Sequence, residues 1–571
     1  MKVLILASSF SGLCQRVLRE LALLGHDIDQ HYGMDEPTLR QQIATFEPDI
    51  ILCPFLTHRI PEDIWRAYKC LIVHPGIEGD RGPSSIDYAI TQGCEYWGVT
   101  LLQADSEMDA GDIWGTRNFP LRVAGKTSTY KREVSSAAVA LIKKALKDFE
   151  NAYFRPRPLD YSNPNVKGTC NPLLRQAQRA IDWHADNTDT IIQKLHAADT
   201  SPGVLDHLLG HDVHLFGPAN EPTLKGQAKQ ILAIRHGAVC IATKDGAVWV
   251  KQMKCKTHPE LPAIKLPAAR VVNVLAGNQD LNLVGDFDAS AIDDIRVEQQ
   301  GDTSYIYFDF YNGAANTQQC LRLKQRLAQV KASNAKVIVL MGGEDFFSNG
   351  IHLNCIEAAS DSALESWQNI NAIDDVVEEI INTPKQITVA ALRNNAGAGG
   401  AILALACDKV VIREGVVLNP HYANMGLFGS EYWTYLLPKR VGHELAQTIA
   451  SECAPMLASE AIDCNFADQM LPEDWAQYHE HLTQFCNQQA THSGFSAELE
   501  QKRVRRAADE KAKPLNAYRT EELAKMRETF YDPNSRYHLE RKLFVYKGKL
   551  PESNSSAALE PQQSSKSVNV A

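Results

Sequence analysis

Apolar residues near the N-terminus alternate between short strand-like runs and stretches with helical spacing. Val3 to Ala7 form a continuous apolar run that ends at two serines, and Gln15 to Leu24 then carry apolar residues at helical spacing. Further short apolar runs follow at Ile50 to Cys53 and at Cys70 to Val73. Short apolar runs that alternate with helices are typical of a parallel sheet covered on both faces. Residues 1–160 are therefore predicted to form a doubly wound, Rossmann-like α/β domain.

The pattern changes over residues 161–280. A stretch rich in Pro, Asn, Arg and Gly at 151–175 indicates a linker. A helix is predicted from Ala180 to Ala197, and alternating runs such as Ile231 to Ile234 and Val239 to Ala242 indicate paired strands. We therefore expect a second, small and β-rich domain over residues 161–280.

A second α/β pattern occupies residues 281–550. Ser304 to Phe310 and Lys336 to Met341 are predicted strands, and Gln318 to Val330 is a predicted amphipathic helix. The remaining residues, 551–571, are rich in Ser, Asn and Gln and poor in apolar residues. They are predicted to form a disordered tail.

Composition narrows the class of protein. A chain of 571 residues, of which 44% are apolar and 22% charged, is typical of a globular protein with several domains. The net charge of −11 argues against nucleic acid or an acidic membrane surface as a partner. The thirteen cysteines show neither CxxC pairs nor zinc-type spacing, which predicts reduced thiols in a cytoplasmic protein and no metal site. Neither a signal peptide nor an apolar stretch near the ~20 residues of a membrane span is recognisable.

Two acid–base residues are expected at one edge of the first sheet. His74 directly follows a predicted strand, so it lies at a carboxyl end of the sheet, where open α/β folds bind ligands. Asp109 lies in the turn Met108-Asp109-Ala110-Gly111-Asp112, and a carboxylate beside an imidazole orients the ring. Either residue alone is more often structural than catalytic. Together they suit the transfer of a one-carbon acyl group, which needs an acid–base residue and a positioned carboxylate.

Residues 1–160 resemble the formyltransferases that use 10-formyltetrahydrofolate, such as methionyl-tRNA formyltransferase. The motifs that carry the resemblance are Val73-His74-Pro75-Gly76, Arg81-Gly82-Pro83-Ser84-Ser85-Ile86, Trp97-Gly98-Val99-Thr100 and Asp109-Ala110-Gly111-Asp112. The resemblance implies that His74 and Asp109 are catalytic and that Arg81 and Ser84 bind the cofactor. The module after the linker is similar to the smaller C-terminal domain of the same enzymes, on the motifs Ala180-Ile181-Asp182-Trp183 and Ser201-Pro202-Gly203.

One position departs from this family. The family's catalytic asparagine, two residues before the histidine, is Ile72 here. Two interpretations follow, an inactive site or a formyl acceptor that reacts more easily than an amine. A thiol is such an acceptor because its thiolate forms at moderate pH, and we favour this second interpretation.

Two glycine-containing turns in the third predicted domain suit an oxyanion hole. The segment Phe347-Ser348-Asn349-Gly350-Ile351-His352-Leu353 follows the predicted strand that ends at Met341, and Gly399-Gly400 opens a predicted helix. A single such turn is commonly structural, but two turns separated by a predicted strand are more specific. Two backbone N–H groups aimed at one oxygen stabilise the charge that develops on a thioester carbonyl.

Residues 281–550 therefore resemble the enoyl-CoA hydratase/isomerase (crotonase) superfamily. The resemblance implies that the N–H groups of Ile351 and Gly399 form the oxyanion hole. It also implies that coenzyme A is bound by residues of the first turn, namely Asn349, Ile351, His352 and Leu353.

The crotonase-like domain also departs from its family. A hydratase activates water with two glutamates, and their positions are occupied here by Ile402 and His421. Glu431 and Tyr422 remain as candidates for proton transfer, because a carboxyl group in a dry pocket has a raised pKa. Each also has a structural interpretation, a helix N-terminal charge for Glu431 and a packed aromatic ring for Tyr422.

The join of a formyltransferase half to a crotonase half resembles the hydrogenase maturation factors of the HypX/HoxX family, over nearly the whole chain. The resemblance implies a bifunctional enzyme that moves formyl from 10-formyltetrahydrofolate to coenzyme A and then splits formyl-CoA into CO and CoA. The CO would become a ligand of the iron in [NiFe]-hydrogenase, and other maturation proteins would be partners. A formyl-CoA hydrolase, an acyl isomerase and a scaffold that only carries folate or CoA remain as alternatives.

Overall fold

The computed structural model describes residues 1–285, 287–288 and 290–548. The chain divides into two compact units, one of residues 1–292 and one that begins at Asp293. The tail predicted at 551–571 lies outside the described residues, and the domain boundaries predicted at 160 and 280 stay predictions.

The first unit opens with a six-stranded sheet in the order β2-β1-β3-β4-β5-β6. Its strands are β1 (Lys2–Ala7), β2 (Asp27–Tyr32), β3 (Ile50–Cys53), β4 (Lys69–His74), β5 (Tyr96–Gln103) and β6 (Ile113–Pro120). Strands β1 to β4 are parallel as predicted, whereas β5 and β6 extend the sheet in antiparallel pairing. The helices are α1 (Gly12–Leu23), α2 (Glu36–Phe46), α3 (Glu62–Ala67), α4 (Ser85–Thr91), α5 (Lys126–Thr129) and α6 (Ser135–Glu150).

The apolar runs of this sheet are buried on both faces. Val3 and Ile5 pack into one core cluster, and Leu4 and Leu6 pack into another. Alternate residues of a strand point to opposite faces, so a continuous apolar run is needed where helices cover both sides. The doubly wound prediction is therefore confirmed, and His74 is the last residue of the central strand β4.

The remainder of the first unit is a β-rich module. Its antiparallel sheet has the order β7-β8-β11-β10-β9, with β12 paired to β11. The elements are α7 (Gln176–Arg179), α8 (Thr188–Ala198), β7 (Val204–Leu208), β8 (His211–Glu221), β9 (Ile231–Arg235), β10 (Ala238–Ala242), β11 (Ala247–Cys255), β12 (Leu266–Pro267) and α9 (Ala268–Ala276). The helix predicted from Ala180 begins only at Thr188, because Asn187 caps it by accepting from the N–H of Thr190.

The second unit contains a six-stranded sheet in the order β13-β14-β15-β16-β18-β21 and a small sheet in the order β17-β19-β20. The strands are β13 (Ile295–Gln300), β14 (Thr303–Phe308), β15 (Val337–Gly342), β16 (Ile387–Leu392), β17 (Ala396–Gly397), β18 (Lys409–Arg413), β19 (Val417–Asn419), β20 (Met456–Leu457) and β21 (Gln469–Leu471). All pairs of the large sheet are parallel except β13 with β14.

The described residues of this unit form eleven α-helices. They are α10 (Thr317–Lys331), α11 (Leu353–Glu357), α12 (Ser362–Ile381), α13 (Gly399–Leu403), α14 (Trp433–Val441), α15 (His443–Glu452), α16 (Ala458–Asp463), α17 (Trp475–Thr491), α18 (Phe495–Ala512), α19 (Leu515–Tyr531) and α20 (Arg536–Val545). The turn after β15 and the start of α13 carry the two predicted glycine motifs. Within the described part of the chain, no helix is both long and apolar enough to cross a lipid bilayer.

Candidate active sites

His74 is the centre of the first candidate site. Its imidazole is buried at the carboxyl end of β4. The Nε2 atom lies 2.8 Å from Oδ2 of Asp80, and the Nδ1 atom lies 3.6 Å from Oδ1 of Asp109. The fold thus brings together the two residues predicted from the sequence and adds a second carboxylate, Asp80.

Asp109 is held in place by its backbone and by a hydrogen bond. Its φ of 56° lies in the left-handed region, which aspartate tolerates better than most residues. The N–H of Gly82 donates to Oδ2 of Asp109 over 3.1 Å. The separation of 3.6 Å from His74 is too long for a hydrogen bond, so Asp109 acts on the imidazole through its charge.

Arg81 and Ser84 border this site, but their side chains are engaged within the protein. The guanidinium of Arg81 donates to the carboxylate of Glu107 over 2.6 Å and to the carbonyl of Met108 over 3.1 Å. Arg81 therefore supports the turn that carries Asp109. The hydroxyl of Ser84 accepts from the N–H of Leu174, at the end of the linker. A role for either residue in cofactor binding stays a prediction.

The second candidate site forms where the two glycine turns meet. A Cβ placed on Gly350 would lie 3.4 Å from the nitrogen of Gly399, so the turns approach closely. Among the described residues, the N–H groups of Ile351 and Gly399 have no hydrogen-bond acceptor. Ala398 has a φ of 46°, a backbone conformation that is strained for alanine and is typical of functional sites. Two unpaired donors on adjacent turns can bind one carbonyl oxygen.

Glu431 places its carboxyl group directly against this turn. A Cβ on Gly399 would lie 1.9 Å from Oε1 of Glu431, so the carboxyl lies next to the Cα of Gly399. The side chain is buried, and burial together with the charges of Asp374 and Glu522 raises the pKa of Glu431 to about 8. The carboxyl group is therefore mostly protonated at neutral pH and can both give and take a proton.

The backbone of Glu431 is anchored to helix α12. Its N–H donates to Oδ1 of Asp374 over 2.9 Å, and the hydroxyl of Ser430 donates to both oxygens of the same carboxylate over 2.7 Å. Glu431 and Tyr432 have φ values of 60° and 59°, so two consecutive residues are in the left-handed region. The hydrogen bonds to Asp374 hold this strained turn in place.

Tyr422 lies on the same side of the site. Its ring is packed on Gly429, where a Cβ would lie 2.6 Å from the ring. Its hydroxyl is buried and has no hydrogen-bond partner among the described residues. Burial and the nearby charge of Glu431 raise the pKa of Tyr422 well above its usual value. The hydroxyl is therefore a neutral donor that is available to a substrate.

The residues predicted to bind coenzyme A have different local roles. The amide of Asn349 donates to the carbonyl of Asn312 over 2.7 Å and thereby fixes the first turn. His352 caps α11 by accepting from the N–H of Cys355. Ile351 and Leu353 are partly buried against the core of the unit. Binding of coenzyme A by these residues stays a prediction.

The positions of the missing hydratase glutamates are apolar or neutral. Ile402 is fully buried in α13. The Nδ1 atom of His421 lies 2.7 Å from the carbonyl of Asn419, and desolvation lowers the pKa of His421. A neutral histidine and an isoleucine do not replace two carboxylates in the activation of water.

Three functional candidates were not recognised in the sequence. Asp80 lies next to an arginine in a loop, and Asp374 and Glu522 lie within helices, where acidic residues are usually exposed. All three are buried. Their burial follows from contacts between segments far apart in the chain, so no local pattern indicates it.

The fold is that of a formyltransferase unit joined to a crotonase-type unit in one chain. Three protein-family models match: formyl transferase over residues 25–146, formyl transferase, C-terminal domain, over 173–266, and enoyl-CoA hydratase/isomerase over 312–550. Methionyl-tRNA formyltransferase from Geobacillus thermodenitrificans is 29% identical over 151 residues, which cover 26% of this chain and 46% of that protein.

Two relatives match nearly the whole chain. Hydrogenase maturation factor HoxX from Bradyrhizobium diazoefficiens is 41% identical over 550 residues, which cover 96% of this chain and 95% of the relative. The crystal structure of HypX from Aquifex aeolicus in complex with tetrahydrofolic acid is 40% identical, covers 96% of each chain and superposes with a TM-score of 0.90. The chain therefore belongs to the HypX/HoxX family of hydrogenase maturation factors.

Proposed function

We propose that this protein makes carbon monoxide for hydrogenase maturation in two steps. The first unit transfers formyl from 10-formyltetrahydrofolate to coenzyme A. The second unit splits formyl-CoA into CO and CoA, and the CO becomes a ligand of the hydrogenase iron. The observation that carries the proposal is the buried carboxyl of Glu431 against Gly399, in a site without the two glutamates of a hydratase.

In the first step, the thiol of coenzyme A is the formyl acceptor. The sulfur forms a bond to the formyl carbon, the bond from that carbon to the folate nitrogen breaks, and the thiol proton passes to the leaving nitrogen. His74 carries this proton, and Asp109 stabilises the charged imidazole. A thiol is a better nucleophile than an amine at neutral pH, which fits the aliphatic Ile72 in place of an amide donor.

In the second step, the formyl thioester loses CO without the addition of water. The carbon–sulfur bond breaks with its electron pair going to sulfur, and sulfur takes a proton. The formyl hydrogen leaves carbon as a proton, and its bonding pair becomes the carbon lone pair of CO. The N–H groups of Ile351 and Gly399 polarise the carbonyl. Glu431 and Tyr422 move the protons, and Glu431 ends the cycle in the protonation state in which it began.

The donor groups of both units fit their proposed substrates. In the second unit, the unpaired N–H groups and the unpaired Tyr422 hydroxyl are all donors, which suits a carbonyl oxygen and a sulfur atom. We assign coenzyme A to the turn of Asn349, Ile351, His352 and Leu353. In the first unit, the relative's complex with tetrahydrofolic acid supports folate as a ligand, and we assign it to the His74 site, with Arg81 and Ser84 at its border.

Headspace analysis of the purified protein tests the proposal. Supplied with 10-formyltetrahydrofolate and coenzyme A, the protein should release CO and tetrahydrofolate in equal amounts. Formate without CO would instead support a formyl-CoA hydrolase. Recovery of formyl-CoA without CO would show that the protein catalyses only the formyl transfer.

The alternative to an enzyme is a scaffold that only carries folate or coenzyme A. Under that alternative, His74→Ala and Glu431→Gln would leave hydrogenase maturation unchanged in cells. Under our proposal both variants accumulate to normal levels and yield hydrogenase without the CO ligand, which the infrared band of the iron-bound CO reports. Rescue of both variants by externally supplied CO would confirm that the missing product is CO.

Maturation proteins that build the iron centre are the partners that this function requires. We place the reaction in the cytoplasm, because all thirteen cysteines are free thiols.

A further inference from the structure

The imidazole of His74 has a close carboxylate partner other than Asp109. Oδ2 of Asp80 lies 2.8 Å from Nε2 of His74, and the Asp80 side chain is buried. The second oxygen, Oδ1, has no hydrogen-bond partner among the described residues. A buried carboxylate with one oxygen unpaired is costly, so the fold keeps Asp80 in this position at the expense of stability.

The pair exists because residue 76 is a glycine. A Cβ on Gly76 would lie 2.4 Å from Oδ2 of Asp80 and 2.5 Å from Nε2 of His74. Any larger side chain would therefore push the two groups apart. The carbonyl of Gly76 is fixed from the other side by the hydroxyl of Thr100, over 2.9 Å.

The linker of residues 151–175 holds the loop that carries Asp80. The N–H of Gly168 donates to the carbonyl of Glu78, and Arg81 exchanges backbone hydrogen bonds with Thr169 and Asn171. A Cβ on Gly168 would lie 1.8 Å from the nitrogen of Asp80. The linker therefore packs directly against the backbone of Asp80 and fixes the distance between Asp80 and His74.

We propose that Asp80 is a positioning residue of the formyl site, which fixes the hydrogen on Nε2 of His74 and leaves Nδ1 to accept the substrate proton. The proposal rests on the proposed formyl transfer to a thiol. A carboxylate accepts the Nε2 hydrogen, and the tautomer of a histidine is set by the hydrogen bond at its other nitrogen. Nδ1 faces Asp109 and takes the thiol proton as sulfur bonds to the formyl carbon. The proton then passes to the leaving folate nitrogen.

Asp80 and Asp109 also compensate for the amide hydrogen-bond donor that Ile72 lacks. When Nδ1 takes a proton, the imidazole becomes positively charged between Asp80 and Asp109. The carboxylate of Asp80, within hydrogen-bond distance, and that of Asp109, 3.6 Å away, both stabilise that cation. The charged ring in turn stabilises the negative charge that develops on the formyl oxygen, a task for which the related enzymes use an amide.

The test is Asp80→Asn in the full-length protein. Asparagine keeps the shape, but it can donate to Nε2 as well as accept from it, so the tautomer is no longer fixed. We expect kcat for tetrahydrofolate formation to fall about 10²-fold, with KM for 10-formyltetrahydrofolate and the stoichiometry of bound tetrahydrofolate unchanged. Asp112→Asn, on an exposed residue near Asp109, is the matched control and should keep wild-type kcat.

A second variant moves Asp80 without changing a polar group. Gly168→Ala should lower kcat in the same way, because its methyl group displaces the Asp80 backbone. Gly285→Ala, which meets nothing within 4 Å, is its control.

Wild-type kcat in Asp80→Asn overturns the proposal. A loss confined to KM or to the amount of bound folate also overturns it and shows a structural role. Release of CO from added formyl-CoA is measured separately and should be normal in Asp80→Asn. A wild-type protein that forms no tetrahydrofolate with coenzyme A refutes the proposed transfer itself. A wild-type protein that forms tetrahydrofolate but no CO refutes only the lyase step.

Discussion

Glu431 shows how neighbouring groups decide the chemistry of one carboxyl. The side chain is enclosed by the protein and lies near two other buried acids, Asp374 and Glu522. Both effects disfavour the ionised form. Protonated Glu431 can therefore deliver a proton to the thioester sulfur and then recover one from the formyl carbon.

The pH dependence of CO release from formyl-CoA follows from the pKa of Glu431. The pKa is about 8, raised from 4.5 by burial and by the charges of Asp374 and Glu522. The protonated form dominates below this value, so the rate should be constant at neutral pH and fall as the pH rises through about 8. Initial rates of CO release between pH 6 and 10 measure this dependence. A rate that rises over this range would show that the carboxylate acts first, as a base.

Asp374→Asn tests the cause of the raised pKa. Asparagine keeps an acceptor for the N–H of Glu431 but removes a negative charge, so the pKa of Glu431 should fall. The midpoint of the pH profile should move down by about one unit. Asp375→Asn removes the adjacent carboxylate, which pairs with Lys324 and Arg519, and is the matched control. An unshifted midpoint in Asp374→Asn would assign the raised pKa to burial and to the charge of Glu522.

At the scale of elements, the second site depends on how closely two turns approach. The turn after β15 and the start of α13 meet at Gly350 and Gly399, and the chain enters α13 through the strained Ala398. The two motifs could be recognised from the sequence because glycine marks such turns. The distance between the two turns and the position of the Glu431 carboxyl beside Gly399 could not be recognised, since these depend on β15, β16 and α12 packing together.

Gly399→Ala should disable the second site only. Its methyl group would collide with the carboxyl of Glu431 and shift the adjacent N–H. CO release from formyl-CoA should fall by about 10²-fold or more, which is the usual effect of losing one oxyanion donor. Tetrahydrofolate formation should stay at the wild-type rate. Gly285→Ala is again the control, and equal CO release in both variants would remove Gly399 from the proposed oxyanion hole.

Local sequence patterns predicted which helices and strands exist better than they predicted the residues at which these elements begin and end. The strand predicted at Ser304 to Phe310 spans Thr303–Phe308, and the helix predicted from Ala180 starts at Thr188. The antiparallel strands β5 and β6 were not expected within a parallel sheet. An apolar run shows that a strand is buried but not the direction of its neighbour.

For the whole molecule, each unit has its own sheets and its own core. We therefore expect the two reactions to be separable by substitution. His74→Ala should lower tetrahydrofolate formation by about 10²-fold or more and leave CO release from added formyl-CoA intact. Glu431→Gln should lower CO release from added formyl-CoA and leave tetrahydrofolate formation intact. Loss of both activities in either variant, with unchanged thermal unfolding, would contradict independent sites.

The sequence alone indicated the family and the order of the two units, and it proposed His74, Asp109, Tyr422 and Glu431 as site residues. The family and these residues follow from the resemblance to known families that short motifs carry, and the order of the units also follows from apolar periodicity. Motifs and periodicity are local properties of a chain. Tertiary structure decided the partners of those residues. The contacts of Asp374 with Glu431 and of the linker with the Asp80 loop join segments that are distant in sequence, and the linker in turn holds Asp80 against His74. The packing of distant segments buries these side chains and thereby sets their charge and orientation. A local sequence pattern holds no information about that packing.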